Sequence, residues 1–253
     1  MIRRRVVVAA LALSTALVVP NAAAGDPLQV VASTSWTAAF VRAAGIAEVR
    51  VLAPYEMRHP SDYVIKPSDL LAVRDADVVV YAGYEGMAAR LVEAADGTRA
   101  RLVRIDTRND PETVAASLAV LGDAFGTRQA AAASAAQVTE FFTAWRDELR
   151  RDGLAGATVV THTFQRPVVE ALGFQVIGDY GPSPLEAARI VALSKLAPRF
   201  VLDTWHNEIG RPLAETMKTT PYVSWLNFPV DPARPGLLDV LEENRRRLTE
   251  ALR

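Results

Sequence analysis

The stretch TRQAAAASAAQVTEFFTAWRDELRR, residues 127–151, decides how the rest of the chain is read. It is rich in alanine and holds no glycine or proline. Val138, Phe141, Phe142, Trp145 and Leu149 recur at mixed three- and four-residue spacings. That spacing places an apolar stripe along one long helix of about seven turns. On either side the pattern changes to short runs of Val, Ile and Leu alternating with helix-like runs. Before the long helix, strands are expected over 28–33, 49–52, 77–81 and 101–105. Helices are expected over 36–44, from Pro67, and from the third strand through Leu91. After Gly153, strands are expected over 157–161, 174–177, 199–202 and 222–224, with helices over 164–172, 184–196, 208–217 and 237–252. Such alternation predicts parallel sheets covered by helices. The fold class is therefore α/β: two parallel-sheet lobes, residues 25–126 and 153–253, joined by a long rigid interdomain helix over 127–152.

The first residues read as an export signal. Arg3-Arg4-Arg5 is a positive start, residues 6–19 are apolar, and Ala22-Ala23-Ala24 precedes Gly25 as a small-residue cleavage site. The apolar run is short for a membrane span and ends in Pro20-Asn21. Residues 1–24 are thus expected to be a signal peptide. The chain has no cysteine. Disulfides and a lipid-anchor cysteine are excluded, and a free periplasmic protein is expected. Any metal site must use His, Asp, Glu or neutral oxygen ligands. A formal net charge of −1 gives no electrostatic case for nucleic acid or an anionic membrane as partner.

The chain has three histidines, His59, His162 and His206. Each falls just past the carboxyl end of an expected strand. Ligands of open α/β sheets bind outside those ends, so all three loops can face one cleft. Taken singly, each histidine is more simply an unliganded loop residue. Together, three imidazoles suit tetrahedral zinc. Asp203 is the best carboxylate for a fourth position, or else caps the next segment or pairs with an arginine. Glu56 and Asp62 flank His59. Glu208 more simply opens a helix, where a carboxylate suits the dipole. No phosphate-binding glycine loop, Gly-x-Ser-x-Gly elbow or His-Glu-x-x-His motif is present. Trp36, Tyr63, Tyr84, Trp205 and Trp225 are candidates for pocket walls or for packing.

Several stretches fall in a recognisable order. They are Val31-Ala32-Ser33-Thr34-Ser35; Tyr63 with Lys66-Pro67-Ser68-Asp69-Leu70; Ala76 to Gly83 with Glu85; the long helix; Thr161-His162-Thr163-Phe164; Gly173-Phe174; the Pro-Ser-Pro around Ser183; and Asp203 to Asn207. This set resembles the metal-binding receptors of bacterial zinc and manganese ABC importers over nearly the whole mature chain. The resemblance implies a receptor that is not an enzyme. It would act as a monomer and dock on an ABC importer permease; if a metal binds, three nitrogens with few carboxylates favour Zn2+ over Mn2+. It also implies ligand positions, and here the chain departs. The family's first histidine, two residues before the tyrosine, is Ser61, with His59 two places earlier. Its second lies in an Asp-Pro-His stretch, where Asn109-Asp110-Pro111-Glu112 either offers Glu112 or lacks the motif. Its late aspartate falls at about Asn227. His162 matches; His206 is not a usual family ligand. The expected metal ligands are His59, His162, His206, Asp203 and Glu112. Two rivals remain open: a receptor of this fold for a metal chelate or small organic anion, and a zinc hydrolase using Glu56 or Asp203 as base.

Overall fold

The structure is a computed structural model and describes residues 27–253. The expected export signal over 1–24 lies outside the described residues. The first sheet contains β1 (Val30–Ala32), β2 (Arg50–Val51), β3 (Val78–Tyr81) and β4 (Arg101–Arg104). They run parallel in the order β2-β1-β3-β4. Helices α1 (Ser35–Ala43), α2 (Pro67–Asp75) and α3 (Ala88–Ala95) connect them, and α4 (Pro111–Phe125) follows β4. Helix α5 (Arg128–Arg151) then leads to the second sheet. Its strands are β5 (Thr158–His162), β6 (Gln175–Tyr180), β7 (Phe200–Thr204) and β8 (Tyr222–Trp225). The order is β6-β5-β7-β8, again all parallel, so the second sheet repeats the first. Helices α6 (Arg166–Ala171), α7 (Ala187–Ser194), α8 (Arg211–Thr216) and α9 (Leu237–Leu252) complete it.

Valine-rich strands such as β3 are apolar along their length because helices cover both faces of a parallel sheet. The Tyr63 and Lys66 to Leu70 stretch acts as a fastener. Asp69, third in α2, accepts from Tyr63 Oη at 2.8 Å and from the Lys66 N–H at 2.9 Å. That ties the loop before α2 to its first turn.

Three expectations are corrected. Helix α4 was not anticipated, although its signals are plain. Asp110 accepts from the Thr113 N–H at 3.0 Å, Pro111 opens the helix, and Gly126 closes it with φ +73°. Strand β6 runs on to Tyr180 through Gly178, with a register irregularity at Val159/Val160. Helix α8 starts at Arg211 rather than Glu208, because residues 205–207 form a 3-10 turn.

One apolar cluster runs through both halves of the molecule. It extends from Val30, Phe40 and Leu118 through Val138, Phe142 and Trp145 of α5 to Phe200, Trp225 and Leu248. Trp145 and Trp225 are buried with ring centroids 5.5 Å apart. Parting the lobes at this base would expose that core to water, so α5 opposes wide opening. No helix among the described residues is long and apolar enough to cross a membrane.

Candidate metal and solute site

Each sheet reverses its strand order beside its first strand, between β1 and β3 and between β5 and β7. The carboxyl ends at these switch points face one cleft. The cleft encloses a cavity of about 590 Å³ lined by residues of both lobes. At its base Asn109 Nδ2 donates to the Asn227 carbonyl at 2.7 Å. On another side Arg58 Nη2 donates to the Trp205 carbonyl at 2.7 Å and to Glu208 Oε2 at 3.0 Å. The two lobes therefore touch across the cleft.

His206 lines the cavity. Its Nδ1 lies 3.0 Å from Thr204 Oγ1, which also forms a short hydrogen bond to Asn227 Oδ1. Asn227 Oδ1 accepts from Gln165 Nε2 as well, at 2.7 Å. Thr204 has a single hydroxyl proton, given to Asn227, so it accepts from Nδ1–H of His206. The lone pair then sits on Nε2, as in metal-binding histidines oriented by a partner on the other nitrogen. Burial, helped by His162, His59 and Arg58 nearby, lowers the His206 pKa to about 4, so it is neutral at pH 7. His59 is exposed on the loop opposite, with its ring centroid 6.3 Å from that of His206.

His162 is fully buried. Its Nδ1 accepts from the Phe164 N–H at 3.1 Å, which leaves the proton on Nε2. Nε2 is buried without a partner. It packs on Gly181, which has φ +98°; a Cβ there would lie 2.6 Å from Nε2. Only glycine suits that backbone and that approach. Burial lowers the His162 pKa to about 4. Phe164 lies against His162, at 4.8 Å between centroids, and stacks on His206 at 5.9 Å.

The two carboxylates named from the sequence stand elsewhere. Asp203 is fully buried. It accepts from the Thr204 N–H at 2.7 Å, the Gly210 N–H at 2.7 Å and Tyr222 Oη at 2.8 Å. It anchors the turn after β7 and offers no face to a solute. Burial raises its pKa in spite of those donors. Glu112 is exposed in the first turn of α4 and does not line the cavity. The Asp110-Pro111-Glu112 stretch starts a helix, so its acidic groups serve the helix end. Among the described residues, no group of three or more His, Asp or Glu side chains is arranged to hold a metal ion. The five expected ligands are thus not drawn into one set; His59 and His206 approach each other.

Of the cavity residues, Gln165 and Phe228 were not singled out from sequence, while Phe164 entered only within the His162 stretch and Asn227 only as the place of the family's late aspartate. Gln165 meets Asn227 from 62 residues away, a pairing with no local signal.

Two parallel-sheet lobes with matching strand order, a shared core and a cleft at their strand ends define the two-lobed α/β fold of metal-receptor type periplasmic binding proteins. Residues 30–123 match the family described as zinc-uptake complex component A, periplasmic (ZnuA), which bears out the resemblance over the first lobe. AdcAII of Streptococcus pneumoniae is similar over 90% of this chain and 100% of its own, with TM-score 0.71 and 17% identity. The laminin-binding protein Lmb of Streptococcus agalactiae, described as having adhesin and metal transporting activity, gives 0.70 and 14% over 89% and 100%. A manganese-bound periplasmic metal-binding protein from Candidatus Liberibacter asiaticus gives 0.65 and 12% over 89% and 100%. At these identities the likeness is one of fold. Compared by sequence with curated proteins, the chain finds no match.

Proposed function

We propose that this chain is the exported receptor of a transition-metal ABC importer and seats its ion at the His206 edge of the interlobe cleft, with His59 opposite. The match to the zinc-uptake family and the fold support the receptor role. The observation that carries the site is the His206 Nε2 lone pair, oriented by Thr204 and Asn227 into a cavity that both lobes close. Nitrogen ligands favour zinc over manganese, which prefers oxygen-rich sites. His162 backs Phe164 rather than reaching the ion, and Asp203 and Glu112 are structural. The ion is cargo, handed to the permease, and no catalysis is involved. A hydrolase would need a base; Asp203 is buried and held by three donors, and Glu56 is exposed and does not line the cavity. The test is elemental analysis of untagged protein before and after chelator, with His59→Ala and His206→Ala variants. One strippable zinc per chain, lost in the His206→Ala variant, is expected. Zinc content unchanged by both substitutions sinks the site.

A further inference from the structure

The cavity is the wrong size for a bare ion. At about 590 Å³ it falls within the range of small-molecule pockets. It is roughly twenty times the ~30 Å³ that one water occupies in the liquid.

Its walls are also wrong for an ion held only by protein. An unbroken arc of rings crosses it from one lobe to the other. Tyr84 meets Trp36 at 6.1 Å, Trp36 meets Phe228 at 5.6 Å, Phe228 meets His206 at 5.5 Å, and His206 stacks on Phe164 at 5.9 Å. Tyr84 is 52% exposed and Phe164 42%. Large rings left open at the cleft are the kind of surface a ligand covers.

The charges are spent on each other. Arg108 pairs with Asp106 at 2.9 Å, and Arg58 pairs with Glu208 at 3.0 Å. Among the described residues, the one cation lining the cavity, Arg108, is paired, so none is left unpaired to select an organic anion. Two positions where the resemblance puts metal ligands are neutral here, Ser61 and Asn227, and both line the cavity. The cleft therefore offers one directed nitrogen, a second imidazole at its rim and a long aromatic wall.

We infer that the ion enters this cleft already held by a small, planar, uncharged organic chelator, whose rings lie along the Tyr84–Trp36–Phe228–Phe164 wall while His206 Nε2 fills an open position on the metal. This rests on the metal-receptor reading and names the form of its cargo. The rings supply area and shape selection, and the imidazole selects the metal-loaded form over the empty chelator.

Untagged, chelator-stripped protein should be titrated by calorimetry and tryptophan fluorescence with three probes: zinc chloride, 1,10-phenanthroline, and their 1:1 complex. Tyr84→Ala is a suitable variant, because Tyr84 is about half exposed and lies at the end of the wall away from His206; thermal melts check that it folds. The complex is expected to bind at least ten-fold tighter than zinc alone. The variant should lose at least ten-fold for the complex and stay within two-fold of the parent for zinc alone. Zinc binding as tightly as the complex, or a variant that weakens both equally, overturns the chelate inference and leaves the metal reading standing. Phenanthroline binding as tightly without zinc as with it overturns the inference in favour of a purely organic solute. Absence of binding by both zinc forms overturns the metal reading itself.

Discussion

At the carboxyl ends of β1 and β3, Glu85 is buried and accepts from Ser33 Oγ at 2.6 Å and from the Ala82 and Gly83 N–H groups at 2.8 and 2.6 Å. At the carboxyl ends of β5 and β7, Asp203 is buried and accepts from the Thr204 and Gly210 N–H groups and Tyr222 Oη. The two lobes use the same device at the same place in the same strand order. Each carboxylate ties down the loop at the switch point, and neither is left for a solute. The difference lies in what stands beside the anchor. The first lobe adds Trp36 and Tyr84 to the cavity, while the second adds His206, Phe164 and Phe228. An acidic residue at a strand end is thus separated from a ligand by counting its donors. Asp203 has three and is buried among them; His206 has Nδ1 engaged and Nε2 free.

The largest effect that can break this comparison is on stability. Asp203→Ala leaves two N–H groups and the Tyr222 hydroxyl without their acceptor. At about 1–3 kcal/mol for each buried unsatisfied group, a loss on the order of 4 kcal/mol is expected in urea unfolding. Glu85→Ala should behave alike. An Asp203→Ala protein that keeps its stability but loses zinc would restore Asp203 as a ligand.

Next in size is the pH response of the second lobe. His162 has its pKa lowered from the ordinary 6.5 to about 4 by burial. The unfolded chain therefore takes up the proton first as pH falls. The contribution is intact above pH 7, declines between about 6.5 and 4, and levels off below; its full size is on the order of 3 kcal/mol. His206 is lowered over the same window. Urea midpoints should fall across that range, and His162→Gln should flatten roughly half of the decline. An unchanged slope in the variant would contradict the burial argument.

A sharper and smaller effect concerns the orienting hydroxyl. Thr204→Val removes the acceptor that holds the proton on His206 Nδ1. Zinc affinity should fall about ten-fold, the lower end of what losing such a partner costs, with His206 itself intact. No change in affinity would mean that the tautomer is set by something else. The smallest effect is at Arg58, about half exposed, bridging to Glu208 and the Trp205 carbonyl. Arg58→Ala should change stability by less than about 1 kcal/mol, as expected for a solvent-screened pair.

Much of the fold was legible because apolar runs and periodicity are local properties. The strands of both sheets, α5 and α9 lie where valine runs and three-to-four spacing put them. Helix α4 had a capping aspartate, a first-turn proline and a closing glycine, but apolar residues off its buried stripe, such as exposed Val120, blurred its periodicity. The site was legible only in its imidazoles. That His206 is free on one nitrogen depends on Thr204, Asn227 and Gln165, which come from three separate segments. That Asp203 is tied down depends on Gly210 and Tyr222. There, any side chain at 210 would run into Tyr180 Oη. Such accounting exists only once the segments are packed together.

The central claim is that the second lobe's free imidazole, and not its buried carboxylate, holds the cargo. It is tested most directly by titrating zinc, alone and as its phenanthroline complex, into wild-type, His206→Ala and Asp203→Asn proteins under identical buffer and salt. Asp203→Asn keeps an acceptor for part of the anchor and so stays folded enough to titrate. The account predicts that His206→Ala loses at least a hundred-fold for both zinc forms while folded Asp203→Asn binds within three-fold of wild type. The reverse order, with His206→Ala binding normally and Asp203→Asn losing the metal, would contradict it.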